Sequence, residues 1–249
     1  MNAMTRVPEH VSTLERELRQ IFGSRLQSLV VYGLRSSGSA GSNRHHDAHA
    51  RTARTATLAI VESLTGADLK KCAEHVADWH DAGLATPLIL AAHEFDRSLD
   101  AFPLEFGAIL ADHIVVAGRN PFDGLAVDAA DIRRACEVQT RSHLIHLREG
   151  YIETRGRADA LALLIVRSAA PFAALLTSVA RLQGLSTEDP AAAGRHAERA
   201  LQLSPGVVTD VVTLAHVAEI SSAEATRIFP AYLEAVERLA AYVDGWSSR

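Results

Sequence analysis

Two short apolar runs near the N-terminus predict a pair of buried β-strands. The first run is Leu26–Tyr32, the second is Thr55–Val61, and a long polar loop lies between them. Both runs are rich in β-branched residues and have Gly, Ser or charged neighbours, which favours strands over helices at this length. Gly33 directly follows the first run. The pattern therefore predicts a strand, a Gly/Ser-rich loop and a second strand.

The rest of the N-terminal half alternates helical and strand patterns. Ser12-Thr13-Leu14-Glu15 has the form of a capping box, so we predict a helix from Ser12 to Gly23. A second helix is predicted from Thr65 to Gly83, with an inward face formed by Leu69, Cys72, Val76 and Trp79. Two further strands and an irregular or short helical link between them are predicted at Pro87–Ala92, His113–Gly118 and Phe102–Phe106, respectively.

From Asp128 onward the pattern is helical only. Apolar residues recur at helical spacing, and capping signals or prolines mark the helix starts. The predicted helices cover residues 128–151, 157–182, 191–203, 207–219 and 221–243. This change of period predicts an α+β protein, with a small mixed β-sheet in an α/β domain at residues 1–125 and an all-α helical bundle at residues 126–249.

Composition narrows the class of protein. The 249 residues carry a net charge of −5, which argues against broad nucleic-acid binding. The two cysteines, Cys72 and Cys136, both lie in helical patterns, so we expect no disulfide framework. The N-terminus has no apolar signal segment, and no run approaches the roughly 20 apolar residues of a membrane span. We therefore expect a cytoplasmic protein that does not bind membranes.

The strand–loop–strand unit resembles the core of the nucleotidyltransferase fold of polymerase-β-like and aminoglycoside-type enzymes. The similarity lies in Val30-Val31-Tyr32-Gly33, in the small-residue loop and in the apolar run Leu58–Val61. Further segments occur in the order seen in bacterial proteins that join such a domain to a helical C-terminal half: Phe102–Phe106, Val115–Gly118, Asn120-Pro121-Phe122 and Leu147-Arg148-Glu149-Gly150-Tyr151. The resemblance covers about residues 10–185 and implies a fold, because a fold does not determine an activity.

The sequence departs from this family at the metal-binding positions. Where the family has Asp-x-Asp, this chain has Thr55-Ala56-Thr57, and Leu34 stands where the family has Ser after the glycine. Nucleotidyl transfer uses two divalent metals held between carboxylates and the triphosphate, and a neutral hydroxyl does not replace a carboxylate. The resemblance therefore implies a degenerate nucleotidyltransferase-like protein without a metal, a cofactor or metal-dependent transfer. Alternatively, Thr55 and Thr57 are ordinary residues of a half-exposed sheet edge.

The loop between Gly33 and Thr55 has the composition of an anion-binding segment. It contains four arginines, three histidines and a single acid, Asp47. Arginine binds phosphate through its planar fork, and successive Gly/Ser amides form anion-binding nests. One hypothesis is a site for a nucleotide or another phosphate ligand, and the alternative is a disordered insertion without a ligand. The hypothesised ligand-binding residues are Gly33, Arg35, Ser36, Ser37, Arg44, Arg51, Thr55 and Thr57.

Two other functions are compatible with the sequence. An active nucleotidyltransferase with a rearranged Mg²⁺ site would take its ligands from Asp47, Glu62 or Glu105. Glu105 has large apolar neighbours, so we expect it to be partly buried or to form an ion pair with Arg134 or Arg148. The other function is a structural role in a toxin–antitoxin-like pair, with a protein partner or a second copy of the chain.

Overall fold

The computed structural model describes residues 9–34, 54–185, 187 and 189–246 of the chain. They form two compact units, the first ending at Val127 and the second beginning at Asp128. The first unit contains α1 (Glu9–Phe22), β1 (Leu26–Tyr32), β2 (Ala56–Val61), α2 (Gly66–Asp81), β3 (Leu88–Ala91), α3 (Ala92–Ala101), α4 (Pro103–Ala111) and β4 (His113–Gly118). The second contains α5 (Ala129–Glu153), α6 (Ala158–Leu182), α7 (Pro190–Ala200), α8 (Thr209–Thr213) and α9 (Ser222–Gly245). A division into separate domains at residue 125 stays a prediction.

A four-stranded mixed sheet forms the centre of the first unit, in the order β3-β2-β1-β4. β1 pairs antiparallel with both β2 and β4, whereas β2 and β3 are parallel. Side chains alternate between the two faces of a strand. Accordingly, Leu29 and Val31 lie in a core covered by α1 and α2, while Val30 lies in a second core with residues of α3 and α4. The predicted small mixed sheet is confirmed.

Helix α1 begins before the predicted capping box. It already includes Glu9, so Ser12 lies inside the helix instead of at its N-cap. Val11 and Leu14 are fully buried on the face that packs against the sheet. This apolar face begins before Ser12, which explains why the helix starts earlier than predicted. The predicted end at Gly23 is confirmed, because its φ of 59° is a left-handed conformation that glycine adopts readily.

Helix α2 begins as predicted and buries most of the predicted face. The N–H of Asp68 donates to the Thr65 hydroxyl, and the Asp68 carboxylate accepts the N–H of Thr65. Cys72 and Trp79 are buried, but the prediction for Leu69 was wrong, because its side chain is 50 % exposed. Leu69 lines an open groove beside the edge strand β3, where no further strand of the described chain covers it.

The segment between β3 and β4 is helical, where the sequence predicted an irregular or short helical link. Helix α3 starts directly after β3, and the Glu94 carboxylate accepts the N–H of Ala91 at its start. Pro103 begins α4, a position at which the missing N–H of proline is tolerated. Phe95 and Phe106 pack edge to face with ring centroids 5.8 Å apart, which joins the two helices. Two such short helices offer too few turns for a clear helical period.

The second unit is a helical bundle, as predicted. Helix α6 packs against α5, α7 and α9. By length and composition α6 is apolar enough to cross a membrane, which differs from the expectation that no such run exists. Its buried residues, which include Leu161, Ile165 and Phe172, account for this composition as the packed face of the bundle's central helix.

The helix predicted at residues 207–219 is shorter in the structure, and a buried carboxylate binds the chain just before it. Glu198 on α7 is 5 % exposed and accepts the backbone N–H groups of Gly206, Val208 and Thr209. These hydrogen bonds hold residues 206–208 in a turn before α8, which covers Thr209–Thr213 and is followed by a 3₁₀ turn at Leu214–His216. The apolar spacing at residues 207–219 gave no sign of an acceptor from an earlier helix.

The bundle interior contains a chain of hydrogen bonds between three side chains. The Tyr232 hydroxyl donates to Ser168 at 3.1 Å, and Ser168 donates to the carbonyl oxygen of Ile165 at 2.9 Å. Nε2 of His143 lies 2.7 Å from the Tyr232 oxygen and is therefore the donor in this contact. Burial, followed by the nearby His146, lowers the pKa of His143 to about 4.

We predict that His143 makes the protein less stable in acid. The usual pKa of histidine is 6.5. The stability that neutral His143 contributes is therefore fully present above pH 6.5 and is lost as the pH falls toward 4. Urea unfolding should show a loss of about 2 kcal/mol from this group between pH 7 and pH 5. His143→Gln, which keeps a donor for Tyr232, should flatten the pH dependence, whereas His146→Gln at an exposed position of α5 should reduce it only slightly, because burial is the larger cause of the lowered His143 pKa. Equal pH dependence in wild type and His143→Gln would contradict this assignment.

Candidate functional site

The candidate site lies at the end of the sheet where β1 finishes at Gly33 and β2, β3 and β4 begin. We name it the Gly33 end. Gly33 has a φ of 70°, and its N–H donates to the carbonyl oxygen of Asp112 at 3.1 Å. A Cβ at this position would meet no atom of the described residues within 4 Å, so glycine is favoured here by its backbone angle and not by a lack of space.

Two polar residues flank Gly33. Continuing both antiparallel ladders one residue beyond Tyr32 places Thr55 on one side of Gly33 and Asp112 on the other. Neighbouring strands are about 4.8 Å apart, so Thr55 and Asp112 lie roughly 10 Å from each other across the glycine. Alternation places both on the face that α1 and α2 cover, together with Val31.

Thr55 is held in place by its backbone and by a histidine. Its N–H donates to Gly83, and its carbonyl oxygen accepts the N–H of Ala85. Its Oγ1 lies 3.0 Å from Nε2 of His10, in the first turn of α1. Thr55 is thus half-buried, as predicted for the edge of a sheet, but with a specific side-chain partner that the sequence did not indicate.

Thr57 is buried, whereas the sequence favoured a half-exposed position. Its side chain is 1 % exposed, because β2 lies between β1 and β3 and α1 and α2 cover this face. Its hydroxyl has no hydrogen-bond partner among the residues that the structure describes. Within the described ranges only Gln27 and Thr209 share this property, and neither lies at the Gly33 end.

Asp112 is an acid at the Gly33 end that the sequence analysis missed. It is 5 % exposed and lies between α4 and β4. It directly precedes a predicted strand, and this position could have marked it as a candidate site residue. However, the sequence did not indicate that β4 pairs with β1, and only that pairing brings Asp112 beside Gly33.

Glu62 lies at the opposite end of the sheet. Its N–H donates to the carbonyl oxygen of Arg25, just before β1 begins. The Arg25 guanidinium contacts both carboxylate oxygens of Asp68 at 2.8 and 2.9 Å, and it holds the pKa of Asp68 well below its usual range. Glu62 is therefore wrong as a metal ligand beside Gly33.

Glu105 is exposed in the first turn of α4, which contradicts the expectation of partial burial. The adjacent Phe106 takes the buried position instead. The expected ion-pair partners lie elsewhere, because Arg134 pairs with Asp131 and Arg148 pairs with Glu237. Glu105 is therefore wrong as a buried acid.

Several predicted site residues lie outside the described residues. They are Arg35, Ser36, Ser37, Arg44, Asp47 and Arg51, and their roles stay predictions. Among the residues that the structure does describe, no three His, Cys, Asp or Glu side chains are placed to hold a metal ion.

Arg54 is the one arginine of the predicted loop that the structure describes. It directly precedes Thr55 and is half-buried. In the described part of the chain its guanidinium has no ion pair and no hydrogen bond. By contrast, the half-buried Arg25 and Arg133 form ion pairs with Asp68 and Glu137.

The two units together are similar to a solved enzyme. Spectinomycin adenyltransferase AAD(9) from Enterococcus faecialis, whose structure contains ATP and spectinomycin, matches with a TM-score of 0.54. The match covers 95 % of this chain and 98 % of that chain, at 11 % sequence identity. The fold is that of a nucleotidyltransferase. No protein-family model and no curated protein matches the chain. The predicted resemblance is thereby confirmed for the fold.

We predict that Thr57→Val stabilises the protein. The substitution removes a buried hydroxyl that has no partner, so the free energy of unfolding should rise by about 1 kcal/mol. Thr140→Val is the matched control, because the fully buried Thr140 donates to the carbonyl oxygen of Cys136 at 2.6 Å and should lose stability. Urea unfolding of both variants measures the difference, and a loss of stability in Thr57→Val would show that its hydroxyl is satisfied.

Proposed function

We propose that this protein is a degenerate nucleotidyltransferase-like protein that lacks metal-dependent transfer and binds a nucleotide or another phosphate ligand at the Gly33 end. The observation that carries the proposal is the chemistry at the start of β2. Thr55 and Thr57 occupy the positions at which the fold's enzymes are expected to have two carboxylates. The proposal places the protein in the cytoplasm.

The donor set at the Gly33 end fits a pair of magnesium ions poorly. Mg²⁺ prefers carboxylate oxygens together with phosphate oxygens, and two-metal catalysis needs enough negative charge to hold both ions. Thr55 shares its hydroxyl with His10, and the hydroxyl of Thr57 is covered by other residues. Asp112 alone supplies a described carboxylate beside Gly33.

The similar enzyme supports a nucleotide as the ligand. Its structure contains ATP, and the match extends over almost the whole of both chains. We carry over the ligand class but not the transfer reaction, because catalysis depends on the residues of a site while a fold can keep a binding cleft. The protein-partner and homodimer readings stay predictions.

The test is calorimetric titration of the purified protein with ATP, GTP, CTP and UTP, each with Mg²⁺ and with EDTA. We expect at least one nucleotide to bind equally well under both conditions, because the proposed contacts are made by side chains. Binding that requires Mg²⁺ would overturn the proposal and favour the active enzyme with a rearranged site.

Asp112→Asn sharpens this test. In a metal-free site, removing a negative charge beside Gly33 should leave nucleotide affinity equal or higher, because the carboxylate repels phosphate. In a magnesium site the same variant should abolish binding, since it removes the described carboxylate at this end. The two hypotheses thus predict different outcomes for one substitution: retained or higher affinity in the metal-free site, and loss of binding in the magnesium site.

A further inference from the structure

The exchange of two carboxylates for two threonines changes the charge that the site offers to a ligand. In a two-metal site, carboxylates hold the cations and the cations hold the phosphates. Without the carboxylates, the protein must supply its own positive charge and hydrogen-bond donors to a phosphate. The inference rests on the proposed function and concerns the residues that take the place of the metal ions.

Arg54 provides the first observation. Arg54 is half-buried next to Thr55, and its guanidinium lacks a partner within the part of the chain that the structure describes. Desolvation of a charge is unfavourable, so a guanidinium on a half-buried residue favours a hydrogen-bond acceptor of opposite charge. The planar fork of arginine matches phosphate oxygens and binds them through two hydrogen bonds.

His10 and Thr55 provide an independent observation on the other face of the sheet. Nε2 of His10 lies 3.0 Å from Oγ1 of Thr55. When the imidazole donates this hydrogen bond, the hydroxyl proton of Thr55 is left for a ligand. Alternation along the chain places Arg54 on the face opposite to Thr55, so the end of β2 carries donors on both faces.

Among the described residues, the other charged groups at this end do not pair with Arg54. Asp112 is separated from Thr55 by Gly33, and Glu9 is exposed on α1 beside His10. In the described part of the chain, neither acid forms an ion pair with Arg54 or with His10. An anion at the end of β2 would therefore meet a cation that these described residues do not neutralise.

We propose that Arg54, together with the His10–Thr55 pair, binds the phosphate groups of the ligand in place of metal ions. The ligand class is a nucleoside triphosphate or pyrophosphate that is not complexed with Mg²⁺. Arg54 supplies the charge, and His10 and Thr55 supply hydrogen bonds. All three act as binding residues, and no bond is made or broken.

The experiment is calorimetric titration with ATP and with pyrophosphate in EDTA, on the wild-type chain and on matched variants. Arg54→Met should weaken binding about tenfold or more, because charged hydrogen bonds to phosphate are lost. Arg97→Met is the control, since Arg97 is exposed on α3 and has no ion pair among the described residues. His10→Ala should weaken binding, and His10→Gln should restore part of it by keeping a donor.

Thermal unfolding separates a binding role from a structural role. An unpaired charge on a half-buried residue does not stabilise the fold, so Arg54→Met should unfold at the wild-type temperature or slightly above it. A clear decrease would assign Arg54 to the fold and overturn the inference.

The outcomes also separate this inference from the proposed function. Wild-type binding in EDTA that Arg54→Met leaves unchanged would overturn the inference while the proposed function stands. Binding of pyrophosphate but not of nucleotides would support the inference and overturn the nucleotide as ligand. Binding that needs Mg²⁺, or no binding of either probe, would overturn both.

Discussion

The pairing of β1 with both β2 and β4 is the constraint on which the first unit depends. Leu29 and Val31 face one core, and Val30 faces the other. Because side chains alternate, a shift of one residue would turn every one of them to the wrong face. The cores therefore determine the register, and the register places Thr55 and Asp112 on either side of Gly33. The geometry of the candidate site is a consequence of core packing several residues away.

The same register explains why Thr55 and Thr57 differ so strongly in burial and in hydrogen bonding. Thr55 lies at the end of the ladder, where the first turn of α1 offers His10 as a partner. Thr57 lies one row further inside, opposite Val31, and is covered. A carboxylate at that inner position would be a buried charge, and it would need a cation against it to be stable. Threonine removes the need for the cation but leaves a hydroxyl unsatisfied.

Elements that the sequence predicted well are those in which a local signal and the tertiary packing agree. Leu26–Tyr32 and His113–Gly118 are short apolar runs next to glycine, and the structure has strands with these bounds. Features that depend on distant partners were missed. The burial of Thr57 depends on the order of the strands, and the start of α8 at Thr209 depends on Glu198 of α7. The position of Asp112 depends on which strand β4 joins. The hydrophobic pattern of a sequence shows the period of a helix or strand, but it does not show which other element will pack against it.

Polar groups in the described chain differ in whether they have a hydrogen-bond partner. Asp68 is paired with Arg25 and Thr65, and the carboxylate of Glu198 accepts three backbone N–H groups. Folded proteins generally satisfy buried polar groups in this way. At the Gly33 end, by contrast, the described residues offer no partner to the buried hydroxyl of Thr57 or to the guanidinium of the half-buried Arg54. Thr57 is covered, so of these two groups only Arg54 is accessible to the ligand that we propose. Natural sequences break the rule of satisfied polar groups mainly at functional sites, so an unpartnered arginine fits a site that an anion completes.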